Sequence, residues 1–190
     1  MRYLLTLICL LYVCSGCAPT PSESSTIDPT DTISVYKNNI STLFGSGSKN
    51  VQDSASNFIW KDSLGILRSL VGLRGNIILL NFWAIWCAPC EAEMQELEAV
   101  SESVNPNIVV IAITALEKGS SVFERVKLFA ESRGMKFQII VDPASKAYVN
   151  YGGSGTIPWS FAIDRDGYIV HKFTGAQTKN QFMDILKQIP

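Results

Sequence analysis

The sequence predicts an α/β domain with one mixed sheet flanked by helices, and three observations carry that prediction. Residues 76–83 and 108–113 are almost wholly apolar runs, long enough for strands buried on both faces. Segments with helical periodicity follow each of them, at residues 91–100 and 121–133. Near the end, residues 159–163 and 168–173 have strand character on either side of Asp164-Arg165-Asp166-Gly167, a hairpin signal, and a last helical stretch comes after them.

In chain order the domain opens with a β-hairpin extension, since Phe58-Ile59-Trp60 and Ile66-Leu67-Arg68 flank a short turn that contains Gly65. The first buried strand runs to Phe82 and Trp83. In the helix after it, Cys90, Met94 and Leu97 recur at i, i+4 and i+7 with charged residues between them. Pro89 fits only the first turn of that helix, where a missing N–H costs nothing, so Cys87 belongs at the helix N-terminus. After the second buried strand, Val122, Val126, Phe129 and Ala130 share one face of a helix over residues 121–133, with Gly134 as its C-cap. A short strand at 137–141, a short helix at 144–151, the final hairpin and a helix over 178–189 complete the domain. Residues 58–190 thus form one unit, of a size that buries about two-thirds of its surface.

Ahead of the domain, Met1-Arg2-Tyr3 carries one positive charge and precedes the apolar stretch at residues 4–13, the pattern of a secretory signal. That stretch is short for a membrane span. It ends in Cys14-Ser15-Gly16-Cys17, which resembles the bacterial lipobox, with Cys14 where Leu usually stands. The resemblance implies a signal peptide over residues 1–16, cleavage before Cys17 and lipid attached to that sulfur. An uncleaved N-terminal anchor and ordinary signal-peptidase cleavage are the alternatives, and all three place the domain outside the cytoplasm, on the periplasmic side of a bacterial membrane. Ala18 stands where Asp would signal inner-membrane retention, so the outer membrane is favoured if the cell is Gram-negative. Residues 17–57, rich in Ser, Thr, Asn, Asp and Gly, are expected to form the lipid anchor and a flexible tether. Ile33, Val35, Tyr36, Ile40, Leu43 and Phe44 suggest a short helix within it.

The formal net charge of −1 leaves no basic patch, which excludes nucleic acid as a partner. The chemistry rests on Trp86-Cys87-Ala88-Pro89-Cys90. Two cysteines two residues apart at a strand-to-helix junction are suited to reversible disulfide formation. Free N–H groups and the macrodipole at the helix N-terminus favour a thiolate there, which makes Cys87 the expected nucleophile. Cys90, one turn in and on the apolar face, is the expected resolving thiol. A structural zinc site needs four ligands, and there is no second cysteine pair and only one histidine, His171. Haem attachment needs His after the second cysteine, where Glu91 stands. A purely structural disulfide across so small a loop removes little unfolded-state entropy. The redox-active Cys87–Cys90 pair is therefore the expected reaction centre, with no separate cofactor or metal.

The order of elements and the position of the cysteine pair resemble the thioredoxin fold, and more narrowly the TlpA/ResA group of membrane-tethered thiol-disulfide oxidoreductases. The resemblance covers residues 58–190. It rests on residues 81–90 as the active-site strand and motif, residues 69–76 as the segment leading into it, and Gly155-Thr156-Ile157-Pro158 as the loop of the family's cis-proline. It implies that Ile157 and Pro158 contact substrate, which pairs with the backbone before the proline as an added strand, and that Trp86 limits access to the nucleophile. Trp159 stands where the family usually has Thr, so the groove walls are expected to be bulkier. Ordinary thioredoxins carry a buried Asp at the position of Asn81. Glu93 matches a glutamate of ResA-like members, which implies that it tunes or deprotonates the cysteine pair, the alternative being a solvated carboxylate like Glu91, Glu96 and Glu98.

The expected function is an extracytoplasmic protein-disulfide reductase or oxidoreductase, with disulfide-containing client proteins, a membrane electron-donor thiol protein and the membrane itself as partners. Cytochrome c maturation is the setting that the family implies. Two other functions fit the same fold. A peroxiredoxin-like peroxidase normally has Thr three residues before its nucleophile, where Ala84 stands here. A non-catalytic binding lipoprotein would use the groove beside Pro158 to hold a client.

Overall fold

The computed structural model describes residues 40–46, 54–103 and 105–190. The expected signal peptide, the expected lipid acceptor Cys17 and the parts of the expected tether and helix at residues 17–39 and 47–53 lie outside the described residues. The strands are β1 (Ile40–Ser46), β2 (Phe58–Lys61), β3 (Leu67–Ser69), β4 (Ile77–Trp83), β5 (Ile108–Thr114), β6 (Gln138–Val141), β7 (Trp159–Ile163) and β8 (Ile169–Thr174). The helices among the described residues are α1 (Ala88–Ser101), α2 (Val122–Ser132), α3 (Lys146–Asn150) and α4 (Lys179–Leu186), and a 3-10 turn at Val71–Leu73 leads into β4.

All strands join one sheet in the order β3-β2-β1-β6-β5-β4-β7-β8. β1, β6, β5 and β4 are parallel to their neighbours in that series, whereas β7 and β8 on one side and β2 and β3 on the other add antiparallel pairs. The sheet is mixed, as the sequence predicts. Long crossovers through α1 and α2 join β4 to β5 and β5 to β6, and tight turns join β2 to β3 and β7 to β8. In both hairpin turns an aspartate folds the chain back: Asp62 Oδ1 accepts from the N–H groups of Leu64 and Ile66, and Asp164 Oδ1 from those of Asp166 and Tyr168.

One expectation is corrected. Residues 40–46, within the segment expected to be tether and short helix, form a strand, β1, inserted between β2 and β6. Its register with β6, Ile40↔Ile139 through Thr42↔Val141, supplies main-chain partners that a local reading cannot see. The buried Ser41 hydroxyl accepts from Gln138 Nε2 at 3.1 Å.

Two apolar clusters lie on opposite faces of the sheet, and β4 feeds both. Ile77, Leu79 and Trp83 pack with Leu97, Val126 and Phe182, under α1, α2 and α4. Ile78, Leu80 and Phe82 pack with Trp60, Tyr148 and Phe161, under the N-terminal hairpin and α3. Burial on both faces explains why the run is apolar at nearly every position. The alternation sends Asn81 to the α1 face.

Helix limits follow local chemistry. Beyond α2, Gly134 takes φ 63°, a left-handed conformation that costs glycine little, and the N–H of Met135 reaches back to the Ala130 carbonyl. At the start of α4, Thr178 and Gln181 cap each other's free N–H groups in a capping box.

Candidate active site

The β4-to-α1 junction places the cysteines. Cys87 is the N-cap of α1 and Pro89 lies in its first turn, as the sequence predicts. Cys87 and Cys90 are joined as a disulfide with Sγ–Sγ 2.10 Å and Cα–Cα 5.2 Å. The Cys90 N–H points at Cys87 Sγ, 3.3 Å away. An N–H aimed at this sulfur favours the anion once the bond is reduced, and the macrodipole acts in the same direction. Cys87 keeps 5% of its surface exposed and Cys90 none. What surface the pair leaves open belongs to Cys87.

Three residues beyond Cys90 on α1, Glu93 is 1% exposed. Its Oε2 accepts from Asn81 Nδ2 at 2.7 Å and its Oε1 from the Gln177 N–H at 2.9 Å. Asn81 Nδ2 also donates to Ser160 Oγ at 2.9 Å. Glu93 is thus a buried group and not part of the solvated face. Burial pushes its carboxyl up from 4.5 to about 7, against the opposing pull of the Gln177 N–H and the Asn81 amide. A carboxyl with this value gains or loses a proton close to neutral pH, the range in which a thiol pair needs a proton partner.

The other wall is the loop before β7. The Ile157–Pro158 bond is cis. The Ile157 carbonyl oxygen lies 3.9 Å from Cys87 Sγ, which puts this backbone beside the sulfur. Trp86 is 55% exposed, and its ring N–H donates to the Leu116 carbonyl at 3.1 Å. The ring is held at the rim, next to the nucleophile position. Trp159 differs from expectation: its ring contacts Phe161 and Tyr148 and joins the apolar cluster on the sheet face away from the cysteines. It does not thicken the wall at the disulfide, because the β-strand period turns its side chain to the other face.

The fold therefore brings together Trp86, Cys87, Cys90, Glu93, Ile157 and Pro158, while Cys17 lies outside the described residues. It also adds groups that sequence reasoning missed. Glu117 is buried after β5 and accepts the Ile85 N–H at 2.6 Å, tying the cysteine loop to the end of the neighbouring strand. Arg125 lies 3.5 Å from its second oxygen. Gln177 serves through its main-chain N–H, to which side-chain identity is no guide. Ser160 carried a signal only in its place, two residues after the proline in a strand paired to β4. His171 is exposed on β8 against Phe173, away from this cluster.

A family model described as AhpC/TSA matches residues 51–172. The thiol-disulfide oxidoreductase ResA of Bacillus thuringiensis (strain Al Hakam) is 38% identical over 136 residues, spanning 71% of this chain and 76% of its own. Among solved structures, a thiol:disulfide interchange protein of the thioredoxin family from Chlorobium tepidum TLS is 25% identical, with a TM-score of 0.62 over 74% of this chain and 98% of that one. StoA from Bacillus subtilis, 22% identical, has the same fold, with a TM-score of 0.60 over 70% of this chain and 97% of its own.

Proposed function

Because the chain belongs to the AhpC/TSA family and to the ResA group of thiol-disulfide oxidoreductases, we propose that it reduces disulfides in protein clients outside the cytoplasm, through Cys87 and Cys90. One observation carries the assignment of roles: Cys87 caps α1 with residual exposure, whereas Cys90, one turn in, is fully buried. In the reduced enzyme the Cys87 thiolate attacks a client disulfide, a mixed disulfide forms, and one client sulfur leaves as a thiolate that takes up a proton. Cys90 gives up its proton and attacks Cys87 Sγ. The Cys87–Cys90 bond forms, the second client thiol leaves, and two electrons have passed to the client. A dithiol donor at the membrane restores the pair by the reverse exchange.

Glu93 supplies the proton traffic in this scheme. It lies on the helix that carries Cys90, three residues further on, and it changes protonation near neutral pH. It takes the proton that Cys90 must lose before its attack. Ile157 and Pro158 form the client edge, the Ile157 carbonyl being near enough to Cys87 Sγ for a strand paired there to present its disulfide. Trp86 limits that approach to one side.

The N-terminal signal pattern and Cys17 support a lipid-anchored protein on the periplasmic side of a bacterial membrane. Residues 1–16 are then removed, and residues 17–39 with the segment up to the hairpin link anchor to domain. The resemblance to the TlpA/ResA group points to cytochrome c maturation as the setting. Cys17→Ala is expected to move the protein from the membrane to the soluble fraction.

The deciding experiment is turnover of a disulfide-bonded peptide with a dithiol donor. Cys87→Ser is expected to abolish it, and Cys90→Ser to accumulate a mixed disulfide with the client. Retained turnover in Cys87→Ser overturns the assignment. A reduction potential near thioredoxin's ~−270 mV supports a reductant, and one near ~−120 mV an oxidant instead.

A further inference from the structure

Tyr148, on α3, has no role in the exchange chemistry, yet its hydroxyl is bonded to the loop that forms the client edge. It accepts the Gly155 N–H at 2.8 Å and donates to the Thr156 carbonyl at 3.0 Å. Its ring lies so close to Gly153 that a Cβ there would stand 2.3 Å from a ring carbon, and its own carbonyl accepts the Gly153 N–H at 2.9 Å. The ring also meets Trp159 edge-on, at 6.0 Å between centroids, beyond the proline. The ring is rigidly backed: Tyr148 is 1% exposed and Phe82 lies 5.5 Å away. One buried side chain thus holds the backbone before Ile157 and packs on the Trp159 ring after Pro158.

The loop needs such a hold. Gly152, Gly153 and Gly155 give it wide backbone freedom, and Gly155, at φ 111°, is in a conformation that other residues rarely adopt. A freely moving edge would have to be ordered by each polypeptide that pairs with it, and that ordering weakens binding. We propose that Tyr148 is a positioning residue for polypeptide clients: its hydroxyl pre-orders the loop over residues 153–157, so that the Ile157 main chain is presented beside Cys87. The inference rests on the proposed client edge and adds a residue that sets affinity for extended polypeptides without touching the sulfur chemistry. Small disulfides, which form no strand pairing, are indifferent to it.

The test compares two substrates in the full enzyme and in Tyr148→Phe: a disulfide-bonded peptide and hydroxyethyl disulfide. The expected result is a KM for the peptide raised about 5–10-fold, roughly the loss of one net hydrogen bond, with kcat, hydroxyethyl disulfide turnover and the potential of the Cys87–Cys90 pair unchanged. An unchanged peptide KM, or equal losses on both substrates, overturns the proposal. Wild type supplies a second measurement that does not depend on the variant folding. The Gly155 amide is expected to be protected from hydrogen exchange in the free enzyme and to gain little protection when peptide is added, whereas free exchange before addition overturns the proposal. Failure of the wider functional reading is seen separately, as turnover that survives Cys87→Ser.

Discussion

At the scale of single residues, Glu93 is the group whose environment departs furthest from what its neighbours in sequence suggest. Its carboxyl is raised from 4.5 to about 7 by burial, so the folded state binds its proton more tightly than the unfolded state does. The stability linked to that proton is fully present below pH 4.5 and is lost as pH rises through about 7. A shift of that size corresponds to roughly 3 kcal/mol. Urea unfolding of the oxidised protein at pH 5 and pH 8 should therefore show wild type losing stability on that order, and Glu93→Gln losing far less. Asn81→Asp tests the same site from the other side. It sets a second carboxyl where the amide now lies 2.7 Å from Glu93, and two carboxyls that close share a proton. The expected result is a destabilisation of roughly 3 kcal/mol at pH 8 that shrinks at pH 5. Both residues were visible in the sequence, Asn81 as a departure from ordinary thioredoxins and Glu93 as a helix neighbour of Cys90. Their contact with each other, with Ser160 and with the Gln177 N–H was not, because β7 and the β8-to-α4 turn come from far along the chain.

Among the elements, α1 and α4 behave as the sequence suggests because their determinants are local. Pro89 marks the first turn of α1, and the Thr178 and Gln181 pair marks that of α4. The same α4 start also has a distant partner, for Glu96 Oε2 accepts the Lys179 N–H at 2.6 Å. α1 thus holds the turn before α4 at two points, Glu93 and Glu96, and that turn supplies the Gln177 N–H to the buried carboxyl. Removing the cap in Thr178→Ala should cost about 1 kcal/mol in urea unfolding. Since the cap orders the turn, the same variant is expected to raise the Glu93 carboxyl further, seen as a displaced midpoint in its titration by NMR. An unmoved midpoint would separate the cap from the site.

For the molecule as a whole, β1 is the element that most changes the picture. It lies between β2 and β6, so residues 40–46 are what pairs the N-terminal hairpin with the parallel strands of the sheet. A chain shortened to begin at residue 54 leaves β6 as an open edge and the hairpin without its neighbour strand. It is expected to lose a large part of the roughly 5–15 kcal/mol typical of a folded domain, read as a lowered urea midpoint. The order of elements from Phe58 onward, the starts of α1 and α4 and the placing of Cys87 and Cys90 at a helix N-terminus were determined by the sequence by itself. Each depends on periodicity, a proline, a glycine or a cap acting within a few residues. Only the tertiary structure decided that Ile40–Ser46 is a strand, that Glu117 holds the Ile85 N–H, and that Tyr148 grips the loop before Pro158. It also decided that Glu93 is buried at the active site and not solvated. These outcomes rest on partners brought together by sheet register and on desolvation, and neither is a property of the residues next to them in the chain.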